Sequence, residues 1–243
     1  MDTSTLMDTY TRPLLVPLIA LCFTGLFATS AAQAQSVDVG ATLASRYVWR
    51  GVDFGNAAAV QPSLSFSQGG FTIGAWGSFE MSPVGAGVNE NDLYASYSFE
   101  TSAGTFSVSV TDYYFSTDAN DYFDYDNDTG GHVIEPGISY NGPVSLSASI
   151  NAYGRGDFNE IWLEAAVPFR VQDVDLSVAI GGSPNDEGTY YSTDADTDAG
   201  ITKFSVSASK ALEITDSFSL PISASYYVNP YLARSYFIFG ISL

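Results

Sequence analysis

Residues 144–151 read Val-Ser-Leu-Ser-Ala-Ser-Ile-Asn, with an apolar side chain at every second position. The same alternation of apolar and polar side chains recurs at 60–67 and at 105–111. A repeat of two residues is typical of a β-strand with one apolar and one polar face. No window of similar length in 35–243 repeats its apolar residues with helical spacing, so the sequence predicts an all-β fold.

Twelve segments of the chain have the features of strands, and most of them are 9 to 11 residues long. They cover 37–49, 58–67, 71–80, 91–100, 105–115, 132–140, 144–153, 159–167, 174–182, 200–209, 218–227 and 233–243. Strands of soluble proteins average about 5 to 6 residues, whereas a tilted strand needs about 9 to 11 residues to cross a membrane. The segment lengths therefore favour membrane-spanning strands.

The connections between these segments alternate in length along the chain. The short ones cover 68–70, 101–104, 141–143, 168–173 and 210–217. The others cover 50–57, 81–90, 116–131, 154–158, 183–199 and 228–232, and several of these are long and acidic. Outer-membrane barrels with an even number of antiparallel strands have short periplasmic turns and longer loops outside. The sequence therefore predicts an antiparallel transmembrane β-barrel of twelve strands.

A soluble β-sandwich or lipocalin-like barrel remains the alternative, because its strands alternate with the same period and turn the apolar face inward. Three features favour lipid outside. The polar faces are mostly Ser, Thr and Gly, and aromatic residues gather near the strand ends, as in interfacial girdles. The chain also ends in an apolar strand, with Leu243 where outer-membrane barrels usually have Phe.

The first 34 residues have the pattern of a secretory signal peptide. Arg12 precedes an apolar stretch, and Ala32-Gln33-Ala34 supplies a small-residue cleavage site. Cys22 lies inside this segment, so the predicted mature domain, 35–243, contains no cysteine and forms no disulfide. We therefore expect an exported protein in the outer membrane of a Gram-negative bacterium.

The composition excludes some partners. The chain has 8 Lys and Arg against 27 Asp and Glu, a formal charge of −19, which excludes a basic nucleic-acid binder. Because 46% of the residues are hydrophobic, the composition is also not that of a disordered chain. The expected partners are outer-membrane lipid and small solutes or ions; the oligomeric state is left open.

Residues 44–78 read ASRYVWRGVDFGNAAAVQPSLSFSQGGFTIGAWGS. This stretch resembles the opening of the TorF-type putative porin family, which has a Tyr-Val-Trp-Arg-Gly element, a Pro-containing second strand and a Gly-x-Trp-Gly third strand. The matching positions are Tyr47, Val48, Trp49, Arg50, Gly51, Pro62, Gly74, Trp76 and Gly77. The resemblance implies an outer-membrane barrel with a pore-like role, and it transfers no binding residues.

Charged side chains on the polar strand faces are the candidates for lining a pore. They are Asp38, Arg46, Arg50, Glu100, Glu160, Glu164 and Asp175. The carboxylates would concentrate cations, so we predict a passive channel for ions or small hydrophilic solutes with weak cation selectivity. The alternative for the two arginines is a structural ion pair with a lumenal carboxylate such as Glu160 or Glu164. The alternative function is a structural or adhesive barrel without an open pore.

The acidic loop between the fifth and sixth predicted strands is a candidate calcium site. Asp124, Asp126, Asp128 and Glu135 occupy positions 1, 3, 5 and 12 of an EF-hand-like count, although the glycine at position 6 is missing. A solvated acidic loop without a metal is the alternative interpretation. Apart from this candidate Ca²⁺ site, we expect no cofactor.

His132 is the single histidine of the chain. A barrel hydrolase would need it beside a serine nucleophile. No serine is distinguished from the many others in the strands, so we interpret His132 as a surface residue and expect no enzymatic activity.

Overall fold

A computed structural model describes residues 35–82, 89–116, 121–127, 129–154, 159–184 and 200–243. The predicted signal peptide, 1–34, lies outside the described residues. Fifteen strands occur in the described ranges: β1 Ser36–Ala44, β2 Val48–Trp49, β3 Val52–Asp53, β4 Ala59–Gln68, β5 Phe71–Glu80, β6 Asn89–Thr101, β7 Gly104–Ser116, β8 His132–Asn141, β9 Ser145–Ile150, β10 Tyr153–Gly154, β11 Ile161–Val171, β12 Val174–Ser183, β13 Gly200–Thr215, β14 Phe218–Asn229 and β15 Arg234–Ser242. No helix in this part of the chain is long and apolar enough to cross a membrane.

The barrel has twelve antiparallel strand positions, here called staves, which close into one ring. Each stave pairs with its sequence neighbour, and β9 and β10 both pair with β8 and form a single stave between β8 and β11. The first and last staves complete the ring, because β1 pairs with β15 through Thr42↔Ser242 and Ala44↔Gly240. Each stave of the described barrel therefore has a hydrogen-bonded neighbour on both sides, although β1 pairs with β15 only near its end. The predicted twelve-stranded all-β barrel is confirmed.

Several predicted boundaries need correction. The first stave ends at Ala44 rather than at residue 49, and the chain then forms the separate β2–β3 hairpin. The predicted turns 168–173 and 210–217 are mostly strand, because β11 runs to Val171 and β13 to Thr215. Their polar residues mark the ends of long strands rather than turns.

The two faces of the barrel differ as the alternation predicts. Leu64, Val108, Leu146 and Phe237 on the outer face are about half to two-thirds exposed. Serines and threonines line the inner face and hydrogen bond across strands, as in Ser98–Ser107, Ser207–Ser225 and Thr42–Ser242. The apolar surface therefore surrounds a polar lumen.

The buried core lies inside one end of the barrel. The short turns and both chain ends of the described barrel lie at the opposite end. The most deeply buried inward-facing residues surround the β2–β3 hairpin, and they include Ala59, Ser78, Glu90, Trp162 and Asn229. The hairpin thus fills the loop end of the lumen.

Candidate functional site

The segment after β1 turns inward and crosses the lumen. Its hairpin has a two-residue turn, Arg50-Gly51, in which φ is +53° at Arg50 and +83° at Gly51. Two positive φ values are typical of a type I′ turn, which closes short hairpins. A non-glycine residue in this conformation costs about 1–3 kcal/mol, so the surroundings must hold Arg50 in place.

The Arg50 side chain is bound by residues of β8 and β9. Its Nη1 and Nη2 atoms donate to the two carboxylate oxygens of Glu135 on β8, at 2.6 and 2.9 Å. Nη2 also donates to Ser149 Oγ on β9 at 2.9 Å. The two side chains are only 12% and 6% exposed, and Tyr113 donates a further hydrogen bond to Glu135. Bidentate pairs of this kind are among the strongest side-chain hydrogen bonds.

The backbone of the hairpin tip contacts another side of the wall. Thr202 Oγ1 on β13 donates to the Arg50 carbonyl oxygen at 3.0 Å, and Asn229 Nδ2 on β14 donates to the Gly51 carbonyl oxygen at 2.9 Å. A Cβ atom on Gly51 would lie 1.9 Å from the Thr202 carbonyl oxygen. The tip therefore requires glycine both for its backbone conformation and for its close approach to β13.

Aromatic rings pack between the hairpin and the strands β5 and β7. Tyr47 packs on Phe54 and Trp76, with ring centroids 5.3 and 5.5 Å apart. Trp49 packs on Tyr113 at 5.5 Å, and Phe54 stacks on Phe115. Because one hairpin contacts β5, β7, β8, β9, β13 and β14, it lies within the ring of staves.

The predicted pore-lining residues separate into two groups by position, one at the loop end of the barrel and one at the short-turn end. Arg46 and Arg50 lie in the hairpin region, where Arg46 pairs with Asp53 at 2.6 Å. Glu164 pairs with Lys203 at 2.8 Å, and Glu160 is buried near the loop end. Asp38, Glu100 and Asp175 lie toward the short-turn end and are exposed, and Asp175 pairs there with Arg170. Arg50 pairs with Glu135, a lumenal carboxylate on β8.

The predicted calcium ligands are not brought together. Glu135 faces the lumen and is bound to Arg50, whereas Asp124 and Asp126 lie in the external loop and accept hydrogen bonds from Thr129. Asp128 lies outside the described residues. No group of three or more potential metal-ligating His, Cys, Asp or Glu side chains occurs in the part of the chain that the structure describes. Because a strand alternates its faces, β8 turns Glu135 toward the lumen and away from this loop.

His132 is buried, contrary to its interpretation as a surface residue. It lies on the outer side of β8 and is 1% exposed, because Tyr122 and Tyr125 of the loop cover its ring. Its Nδ1 lies 2.8 Å from Asp112 Oδ1, and its Nε2 lies 2.6 Å from the Tyr122 carbonyl oxygen. The Nδ1 contact therefore fixes the ring on β7, and the Nε2 contact holds the loop against the barrel.

Tyr125 strengthens this loop attachment. Its hydroxyl donates to Asp112 Oδ2 at 2.7 Å. Burial, together with the neighbouring Asp112 carboxylate, raises the pKa of the Tyr125 phenol. The phenol therefore stays protonated and remains a donor.

Two lumenal carboxylates were absent from the predicted set. Glu90 and Asp92 on β6 face the lumen below the hairpin and are 2% and 6% exposed. The alternation of β6 places them on the same face as Tyr94. Glu90 was assigned to a loop in the sequence, because the predicted strand began one residue later at 91.

Comparison with known proteins supports the architecture. A solved structure from a study called "Unveiling the Mechanism Behind the in-meso Crystallization of Membrane Proteins" superposes with a TM-score of 0.53 and 10% identity, covering 86% of this chain and 83% of that chain. This similarity concerns the fold alone. No curated protein matches the chain.

The family comparison covers most of the sequence. The family model Gcw_chp, described as a bacterial protein of unknown function, matches residues 28–229. The resemblance to TorF-type porins is not confirmed by this match. The chain belongs to the Gcw_chp family of bacterial proteins.

Proposed function

We propose that the protein is an outer-membrane barrel that provides a narrow, cation-preferring pathway restricted at its loop end by the β2–β3 hairpin. The closed sheet supports a membrane location, since every strand is paired and lipid leaves no partner for a free edge. The exposed apolar outer face supports it as well.

One observation carries the restricted pathway: the lumen is packed at one end and accessible at the other. Buried side chains surround the hairpin, whereas Ser63, Ser65 and Ser67 on the inner face of β4 remain partly exposed. Small polar side chains with this accessibility line a water-filled space. Solutes larger than hydrated ions would therefore meet the hairpin as a barrier.

The charges around the lumen favour cations. Arg46, Arg50 and Lys203 each lie in an ion pair with a carboxylate, which neutralises their fields. Asp38 and Glu100 have no cationic partner in the described residues. Uncompensated carboxylates along a pathway raise the local concentration of cations.

Single-channel recording of the refolded mature chain tests the proposal. In a planar bilayer under a salt gradient, we expect small conductance steps and a reversal potential displaced toward the cation equilibrium. Folding is checked by the shift in gel migration between heated and unheated samples. Anion preference, or a large unrestricted conductance, would contradict the proposed pathway.

A structural barrel without conduction is the second candidate. The packed loop end of the lumen favours it, and so does the external loop fixed on the wall by His132. This candidate predicts no conductance steps from protein that the gel assay shows to be folded.

A further inference from the structure

A cavity of about 260 Å³ lies in the lumen directly below the hairpin. Five aromatic residues line it, namely Tyr47, Trp49, Trp76, Tyr94 and Tyr113, and Asp92 is its ionisable group. Tyr94 lies across Gly74 of β5, where a Cβ atom would come within 2.4 Å of the phenol ring. The glycine of the Gly-x-Trp-Gly stretch thus makes room for one wall of the cavity.

The carboxylate of this cavity is incompletely satisfied. Asp92 is 6% exposed, and its Oδ1 atom has no hydrogen-bond partner among the described residues. Glu90 lies beside it, bonded to Tyr47 and Asp92, and its Oε2 atom is equally without a partner in the described chain. The hydrogen bond between the two groups requires a proton on one of them, so the bonded pair carries one negative charge, and a buried charge without a cationic partner is costly.

The cations nearest to the cavity are already engaged. Arg46 is bound to Asp53, and Arg50 is bound to Glu135 while its guanidinium stacks 4.1 Å from the Trp49 ring centroid. A bound cation would offset the negative charge that the hydrogen-bonded Glu90–Asp92 pair retains.

The surrounding rings select the kind of cation. Aromatic faces attract ammonium groups, and they attract methylated ones most effectively where water is excluded. A Ca²⁺ ion instead requires six to eight oxygen ligands, which the ring-lined cavity does not offer. The volume corresponds to roughly eight or nine water molecules at about 30 Å³ each, which suits a small organic ion.

We propose that this cavity binds a small organic ammonium cation, with its charge beside Asp92 and its alkyl groups against the aromatic rings. The binding site lies within the barrel wall and hairpin and does not depend on conduction. A folded protein that conducts no ions would still bind the ligand.

Choline titration of the refolded mature chain in detergent micelles tests this inference. The readout is tryptophan fluorescence, because Trp49 and Trp76 line the cavity, together with the heat of binding. We expect saturable binding of choline and much weaker binding of 3,3-dimethylbutan-1-ol, its uncharged analogue of the same shape. Potassium chloride at equal ionic strength is the salt control.

Matched variants locate the site. The double variant Glu90→Gln with Asp92→Asn is expected to weaken choline binding at least about tenfold, because it removes the negative charge of the buried pair. Asp38→Asn changes a lumenal carboxylate outside the cavity and is expected to leave the affinity unchanged. Equal binding of choline and its uncharged analogue, unchanged affinity in the folded Glu90→Gln, Asp92→Asn double variant, or no saturable binding by folded wild-type protein would each overturn the proposal.

Discussion

Glu135→Ala is expected to lower the free energy of unfolding by about 3–5 kcal/mol, because it leaves the Arg50 guanidinium buried without its carboxylate. The variant also removes the acceptor of the Tyr113 hydroxyl. Denaturant titration of the refolded protein, followed by tryptophan fluorescence, measures the change.

Asp175→Ala is the matched control for this variant. Asp175 also pairs with an arginine, Arg170, but their side chains are 61% and 64% exposed. Exposed ion pairs contribute about 0–1 kcal/mol, so the control is expected to change stability little. The double variant Arg50→Ala with Glu135→Ala should lose less stability than the sum of its two single variants. Equal effects of Glu135→Ala and Asp175→Ala would show that the Arg50–Glu135 pair is not a buried interaction.

Gly51→Val is expected to raise the single-channel conductance several-fold by displacing the hairpin tip. Valine is strained at a φ of +83°, and its Cβ would overlap the Thr202 carbonyl oxygen. The hairpin tip then loses its contact with Thr202 of β13, while the hydrogen bonds between the barrel strands remain intact. Conductance of the refolded variant in planar bilayers measures the effect.

Gly69→Val is the control for backbone strain. Gly69 has a φ of +61° in the turn between β4 and β5, at the opposite end of the barrel. It imposes a similar strain without contact with the hairpin, so the conductance should match that of the wild type. A folded Gly51→Val protein with wild-type conductance would contradict the restriction by the hairpin.

The sequence predicts the barrel because its information is local. Alternation in stretches such as 144–151 distinguishes inward from outward residues without knowledge of any partner. The final apolar strand likewise indicates where the barrel closes, and β15 pairs with β1 there. Strand ends were less accurate, since polar residues near 168–173 and 210–217 belong to β11 and β13 as well as to turns.

The hairpin could not be predicted, because its stability comes from distant residues. Tyr47, Val48 and Trp49 continue the composition of the first strand, and Arg50-Gly51 is not the Asn-Gly or Asp-Gly pair that usually signals a type I′ turn. The partner of Arg50 lies 85 residues away in the chain. The spacing of the acidic residues assigned Glu135 to a metal site instead. Sequence position alone does not show whether a carboxylate on a strand faces the lumen or the outside of the barrel.

The carboxylates of the ring-lined cavity illustrate an intermediate case. Glu90, Asp92 and Tyr94 alternate along one strand face, so extending the predicted strand by one residue would have grouped them. Their burial depends on Tyr47, which reaches them from the hairpin and hydrogen bonds to Glu90. The charge pattern was therefore available in the sequence, whereas the enclosing rings were not.

The central claim, that the hairpin obstructs the lumen, is tested most directly by removing it. Ala44 at the end of β1 pairs with Ala59 at the start of β4. A turn of four Gly and Asn residues in place of 45–58 would therefore preserve the strand register. The heat-dependent gel shift first shows that this variant is folded. Its single-channel conductance is then predicted to exceed that of the wild type several-fold. A folded variant with the conductance of the wild type would contradict the account.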